Sequence, residues 1–298
     1  LLDSLDLAPP AGAELAEALW RRSGGNPLFL LESLRAWLLQ PPGATAGALV
    51  PAAPGVTALI ERRIGRLSVQ AVQLARCAAV ATPDFGIDLA AHVLGLRTLD
   101  LADPWAELEA AQVLRDGAFA HDLIYESALA SVPRPVAQRL HGEIAAFLEA
   151  HGGEPARVAA HWLEAGAEAS ALDAMGRAAA KAAAALRPRE AIDWHRRASA
   201  LAERLLQHEC AFDHWLAVFE ATMVADRSTL DEAYFVRLDS LARTPMQQLR
   251  ALLTRGDFAK DANRFDEGLQ LCEQAAALAR SLGRRDLEVD ALRGAAAH

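Results

Sequence analysis

The sequence predicts a mainly α-helical protein in two parts: a unit of short helices with one minimal β-hairpin, then an α-solenoid of helix pairs. Three observations predict it. Alanine supplies 67 of the 298 residues and aromatic residues only 6%, a mixture that favours helices packed through small side chains over sheets, which want β-branched and aromatic residues. Apolar residues recur at helical spacing along most of the chain, with one brief alternation around Asp116-Gly117. The C-terminal half also carries a repeat: Pro188-Arg-Glu-Ala191-x-x-x-His195-x-x-Ala198 aligns with Phe265-Asp-Glu-Gly268-x-x-x-Cys272-x-x-Ala275.

Residues 12–22 place Leu15, Ala18 and Leu19 on one helical face. Ser23-Gly24-Gly25-Asn26 then interrupts, and Pro27 suits the first turn of the next helix, where its missing N–H is no loss. Leu28, Leu31, Leu34 and Leu38 form that helix's apolar stripe. The run from Ala36 to Ile60 lacks charge and is long enough on paper to span a bilayer. It holds Pro41, Pro42, Pro51 and Pro54, so it cannot be one continuous helix. Residues 1–39 are therefore read as a helical lid and 40–55 as a linker.

From 56 to 150 the spacing predicts helices over about 56–66, 69–81, 87–94, 104–112, 121–131 and 134–150. Asp116-Gly117 between apolar residues is a hairpin signal. Short helices with one small hairpin give the outline of a winged helix-turn-helix fold. Helices alone are expected over 151–298, separated at Arg187-Pro188, Asp226-Arg227-Ser228, Thr244-Pro245 and Leu282-Gly283. Asp231-Glu232-Ala233 reads as a weaker copy lying between the two clear repeats. A small residue at the 191/268 position lets a neighbouring helix approach, and each pair needs a neighbour to cover its apolar face.

The formal charge of −9 gives no bulk attraction to nucleic acid or anionic lipid. Residues 56–150 contain eight Arg, no Lys and twelve Asp or Glu, so the winged-helix-like part is not expected to bind DNA despite Arg62, Arg63 and Arg66. Cys77, Cys210 and Cys272 lie far apart and make no disulfide framework, which suits a reducing, cytoplasmic setting. The chain opens at Leu1 without an initiating Met and stops at His298 within a helical pattern, and is read as a piece of a longer protein.

The only two lysines, Lys181 and Lys260, each follow Ala, so no Walker-type loop is present, nor is GxGxxG, GxSxG or HExxH. No residue is expected to be catalytic. His208, Cys210 and His214 lie close in sequence, but i and i+6 on a helix stand about 240° apart and share no ligand face; no metal site is expected. Trp20, Trp37, Trp105, Trp162, Trp194 and Trp215 sit at apolar helical positions and are expected in the core, Trp194 and Trp215 also being able to line a cavity in the array.

Ser23-Gly-Gly-Asn-Pro-Leu-Phe-Leu-Leu-Glu-Ser-Leu34 resembles the end of the nucleotide-binding module of STAND-class signalling ATPases. Pro54-Gly-Val-Thr-Ala-Leu-Ile-Glu-Arg-Arg-Ile-Gly-Arg-Leu-Ser68 resembles the opening of their winged-helix domain. Phe119-Ala-His121-Asp-Leu-Ile-Tyr-Glu-Ser-Ala128 with Arg139-Leu-His141 resembles its close. The nearest in style are large bacterial transcriptional regulators, in which a tetratricopeptide-like array follows. The resemblance covers residues 15–205 well and the rest loosely. It implies that Pro27 packs near adenine and that His121 reaches the ADP phosphates; read by themselves, Pro27 starts a helix and His121 caps one. ATP or ADP would bind with an upstream ATPase module, not with this chain alone.

The function expected from this resemblance is non-catalytic: a sensor and relay part of an ATP-dependent transcriptional regulator. Its partners are the upstream module and an inducer or protein on the array, with no membrane. The alternatives are a stand-alone helical-repeat adaptor and, less favoured, a winged-helix DNA-binding protein.

Overall fold

The computed structural model describes residues 16–21, 27, 30, 31, 34, 60, 61 and 63–296. The segment expected as a linker, 40–55, most of the segment expected as a lid, 1–39 (Leu15, Leu28, Trp37 and Leu38 included), and Arg62 lie outside them. The chain divides into two compact units that meet in sequence at His151 and Gly152, with Glu164–Gly166 grouped with the first. No helix among the described residues is long and apolar enough to cross a membrane.

The first unit is built around α1 (Val69–Ala81), whose small residues Ala71, Ala75, Cys77, Ala78 and Ala81 are all buried. Its first half keeps Val69, Gln70 and Gln73 exposed, but Cys77 to Ala81 are all buried and need cover on every side. It receives that cover from α2 (Ile87–Leu94), α3 (Ala102–Ala110), α4 (Asp122–Ala130) and α5 (Arg134–Ala150). Leu74, Leu101, Leu108, Val113 and Ile124 form one core cluster, and Cys77, Val80, Leu89 and Ile144 a second. Burial pushes the Cys77 thiol up to about 12, so it is an inert core residue.

Ser68 starts α1: its Oγ accepts from the Ala71 N–H at 3.2 Å, while its own N–H and O–H donate to Glu107 on α3 at 2.7 and 2.5 Å. The expected hairpin is present as two-residue strands, β1 (Leu114–Arg115) and β2 (Ala118–Phe119), paired antiparallel. Its turn residues Asp116 and Gly117 both have positive φ, 51° and 78°, the conformation that a tight hairpin turn demands and that Asp-Gly supplies.

Two lid and core expectations change. Leu34 and Leu19 are buried, but Leu31 is 50% exposed and is not part of the buried stripe that the spacing predicts. Trp20 is 65% exposed and is not a core residue; Trp105, Trp162, Trp194 and Trp215 are partly buried. Trp105 Nε1 donates to Glu109 at 3.1 Å, a polar handle that suits an indole left partly at the surface.

The second unit is a duplicated four-helix array. Its helices are α6 (Pro155–Glu164), α7 (Glu168–Ala184), α8 (Pro188–Arg204), α9 (His208–Ala225), α10 (Glu232–Leu241), α11 (Pro245–Asp261), α12 (Phe265–Ser281) and α13 (Arg285–Ala296). The bounds 155–164, 168–184 and 188–204 recur as 232–241, 245–261 and 265–281, and α9 and α13 start at 208 and 285, a displacement of 77 residues throughout. Buried residues follow the same displacement: Leu172, Ala174 and Ala182 match Leu249, Ala251 and Ala259, and Ala191, Ala198 and Ala202 match Gly268, Ala275 and Ala279. Even the i,i+3 pair Arg187–Glu190 recurs, as Arg264–Glu267.

The duplication corrects the repeat spacing inferred from sequence. Ala233 is exposed on a ten-residue helix that corresponds to α6, so Asp231-Glu232-Ala233 is no intermediate copy of α8. The first copy joins the second through an aromatic cluster of Phe212, Trp215 and Phe219 on α9 with Tyr234 and Phe235 on α10 and Phe258 on α11. Trp215 Nε1 donates to the Tyr234 carbonyl at 3.2 Å, and Tyr234 Oη donates back to the Trp215 carbonyl at 3.0 Å.

The turns after α7, α8, α11 and α12 are one motif. In each, the N–H of a left-handed residue and the next N–H close back onto the last helical turn, as in Arg187 to Ala182 and Arg264 to Ala259, both at 2.9 or 2.8 Å. The left-handed residues are Leu186 (φ 56°), Leu206 (φ 59°), Asn263 (φ 58°) and Gly283 (φ 69°). Leucine carries a steric cost of roughly 1–2 kcal/mol there that Gly and Asn largely avoid. Both leucines are exposed, so little packing is lost on replacing them. Leu186→Asn and Leu206→Gly, which copy the second repeat into the first, are each expected to raise stability by about 1 kcal/mol in urea unfolding. Asn263→Leu is expected to lower it by a similar amount.

The second copy packs more tightly at one point. A Cβ at Gly294 on α13 would lie 2.9 Å from Cys272 Sγ, and one at Gly256 on α11 would lie 3.1 Å from it. Gly294→Ala is therefore expected to destabilise by about 1–3 kcal/mol despite its better helix propensity, as read by thermal melting.

Candidate functional site

Two polar clusters stand out from these apolar cores. The first lies in the first unit, where the chain leaves β2 and enters α4. His121 is the residue before α4, with extended backbone (φ −154°, ψ 145°), and its carbonyl accepts from the N–H groups of Ile124 and Tyr125 at 3.0 and 3.2 Å. Its side chain makes no capping hydrogen bond to α4, so His121 holds the cap position without acting as a side-chain cap. The imidazole is partly buried, and its pKa lies below the ordinary value through burial first, then through the positive charges of Arg115 and Arg63, with Asp122 opposing.

Arg115 is carried by β1, and Arg63 precedes α1, so hairpin and helix entry bring two guanidiniums toward one imidazole. Arg63 also lines a pocket of about 680 Å³ with Arg66, Leu67, Glu107, Ala110, Ala111 and Gln112. Glu107 faces this pocket, and the two hydrogen bonds from Ser68 hold its carboxyl below the usual range. The two guanidiniums and burial thus act together against the charged form of the ring, and only Asp122 favours it. Pro27 has a helical backbone and an exposed side chain, while residues 22–26, 28 and 29 lie outside the described residues.

The second cluster lies in the first copy of the array. His195 on α8 and His214 on α9 place their Nδ1 atoms 3.0 Å apart, with ring centroids at 5.2 Å. One ring therefore carries its proton on Nδ1 and the other accepts through its lone pair. Burial, and secondarily the neighbouring His214, pushes His195 down to about 4; burial also lowers His214, against the opposing charge of Asp213. Gly176 on α7 leaves room for the His214 ring, whose Cε1 would be 3.5 Å from a Cβ there. At the matching positions of the second copy stand Cys272 and Ala291, both buried. The same groove is thus filled once by apolar residues and once by a pair of imidazoles.

Beside this pair opens a pocket of about 480 Å³ lined by Gln207, His208, Glu209, Cys210, Asp213 and His214. The three residues that cluster in sequence part ways within it. His208 Nε2 accepts from Arg243 at 2.7 Å, His214 turns to His195, and the Cys210 thiol is raised by burial and by Asp213 and Asp173. Among the described residues no group of three or more His, Cys, Asp or Glu is placed to hold a metal ion. Trp194 carries the Arg197 guanidinium over its ring at 5.2 Å, and Trp215 is stacked on Tyr234. The pocket in this part of the array is thus lined by polar α9 residues and not by those two indoles. Sequence reasoning missed the His195–His214 pair because the two lie 19 positions apart on different helices. The signal that finds it is the repeat alignment itself, in which His195 replaces Cys272.

The described residues define a helical-repeat protein. No protein-family model matches the sequence, and no curated protein matches it. Among solved structures it is similar to a signal transduction ATPase with numerous domains (STAND) that carries a tetratricopeptide repeat sensor, from Pyrococcus horikoshii, at 12% identity and a TM-score of 0.36. The match covers 99% of this chain and 54% of that one, so the chain spans about half that structure's length.

The imidazole pair makes stability depend on pH. The unfolded chain takes up a proton near pH 6.5, whereas folded His195 does so only near 4. Between these values the unfolded state binds more protons, so stability rises with pH across the window and is lost as pH falls through it. The expected loss is on the order of 1 kcal/mol, since both rings are partly open to solvent. Urea midpoints from pH 7.5 to 4.5 test this: the His195→Cys/His214→Ala variant, which copies the second repeat, is expected to lose less stability on acidification than the parent.

Proposed function

We propose that this chain is the non-catalytic sensor and relay part of a STAND-type, ATP-dependent transcriptional regulator working in the cytoplasm. In this reading residues 1–39 are the lid of an upstream nucleotide-binding module and 40–55 its linker. Residues 56–150 are the winged-helix-like domain, and 151–298 the tetratricopeptide-like array on which an inducer or protein partner binds.

The observation that carries the reading is the cationic corner at His121, with Arg115 and Arg63 bearing on its imidazole. The phosphates of an ADP held by the ATPase module are the anion suited to that corner, with Pro27 beside the adenine. With the anion in place the winged-helix-like domain stays closed on the module; without it the imidazole stays neutral between the two guanidiniums and closure weakens. A coupling of a few kcal/mol is enough to make such a switch useful. The first unit's net charge gives it no general attraction for DNA, so DNA contact is left to another part of the regulator. The second reading, a stand-alone helical-repeat adaptor, is favoured by the self-contained duplication in the array.

The two readings separate on the mass of the native protein in its source cells, detected with an antibody to this chain. A species of several times 31.9 kDa is expected, and one near 31.9 kDa overturns the regulator reading. In that native-length protein, His121→Ala is expected to weaken ADP by roughly 10-fold or more, the scale of one charge-assisted hydrogen bond. Unchanged ADP affinity sinks the role given to His121.

A further inference from the structure

We propose that His195 and His214 form a binding site for a divalent transition-metal ion of the nickel or copper type, which takes the place of the hydrogen bond between their Nδ1 atoms.

The argument begins with the cost of the pair. The second copy of the repeat shows that this interhelical groove is filled well by Cys272 and Ala291, both buried. Replacing them by two imidazoles brings polar rings into a half-buried groove, where each must find a partner. The partner each finds is the other, through one N–H···N hydrogen bond at 3.0 Å in which one Nδ1 donates and the other accepts. Neutral imidazole nitrogens converging in this way are donor atoms for borderline metal ions.

The geometry selects among ions. With metal–nitrogen bonds of about 2.0–2.1 Å, two nitrogens 3.0 Å apart subtend roughly 95° at the metal. That is a cis angle of square-planar or octahedral coordination, which suits Cu(II) and Ni(II) better than tetrahedral Zn(II). His214 also lines the pocket of about 480 Å³, which has room for water ligands and carries the negative charge of Asp213 and Glu209. Asp213 is held by Arg250 at 2.5 Å and Cys210 keeps its proton, so neither is needed as a ligand. In the hydrogen-bonded pair one Nδ1 carries a proton and the other does not. Binding then requires one ring to move its proton from Nδ1 to Nε2, with no net release of protons. The site is independent of the regulator reading: it stands or falls whether or not this chain belongs to an ATPase.

The test uses the untagged full chain with Cu(II) and Ni(II), titrated by calorimetry at pH 7 and followed by electron paramagnetic resonance of the copper form. One strongly bound ion per chain is expected, with hyperfine splitting from two imidazole nitrogens. His195→Gln and the repeat-copying His195→Cys/His214→Ala are each expected to weaken binding at least about 100-fold, beyond the loss typical of outer-shell changes. His208→Ala is expected to leave it within about 3-fold. Circular dichroism of each variant reports folding, and the nitrogen splitting of the parent decides the matter even where a variant fails to fold. Absence of binding, a spectrum with no nitrogen or one nitrogen, retention of affinity in folded His195→Gln, or its loss in folded His208→Ala overturns the proposal.

Discussion

Close approach of helices through alanine and glycine is the constraint on which the array depends. Two helices can run side by side at short distance only where neither carries a bulky residue at the contact, and Ala191, Ala198 and Ala202 provide this on α8 as Gly268, Ala275 and Ala279 do on α12. The cost is that alanine buries little apolar area, so each helix contributes modestly to the hydrophobic term. Length and repetition make up the difference. Helices of 17 residues recur at the same three buried positions, and cross-helix ion pairs such as Arg204–Glu168 and Arg250–Asp213 fix their registers at the surface. Such exposed pairs add little energy, but they disfavour sliding of one smooth alanine face along another.

The same constraint explains why the aromatic residues gather where they do. Few large side chains fit between α7, α8 and α9, so Phe212, Trp215, Phe219, Tyr234, Phe235 and Phe258 collect where the first copy meets the second. There Tyr234 and Phe235 of the ten-residue α10 stack and tilt against rings of α9 and α11. The reciprocal hydrogen bonds between Trp215 and Tyr234 satisfy both polar tips, which removes the penalty of burying them.

Much of this was legible in the residues. Ser68 before an apolar run and Gly86 after a proline turn mark the starts of α1 and α2, and the Asp116-Gly117 turn needs no tertiary context because its chemistry is local. The pairing of residues 191–198 with 268–275 was also readable, because small residues at fixed spacing are what the groove requires. Ala233 misled for the same reason: in a chain so rich in alanine, an Asp-Glu-Ala string arises without a groove behind it. Trp20 and Leu31 misled because periodicity reports which residues share a face and not whether anything covers that face. The surroundings of His121 and the His195–His214 contact were beyond reach, since both depend on tertiary proximity of residues far apart in sequence.

Comparison of the two copies gives the array a direction. The second copy ends its helices with Asn263 and Gly283 and fills its groove with Cys272 and Ala291, each a low-energy choice for its position. The first copy, at the same positions, has Leu186 and Leu206 in left-handed backbone and two imidazoles in the groove. Four local departures toward higher energy therefore fall between residues 186 and 214 of one copy, and the other copy shows that none is imposed by the architecture. Segments that bind, open or switch are drawn from the less stable parts of a fold. On this comparison α7 to α9 carry more locally unfavourable choices than α11 to α13.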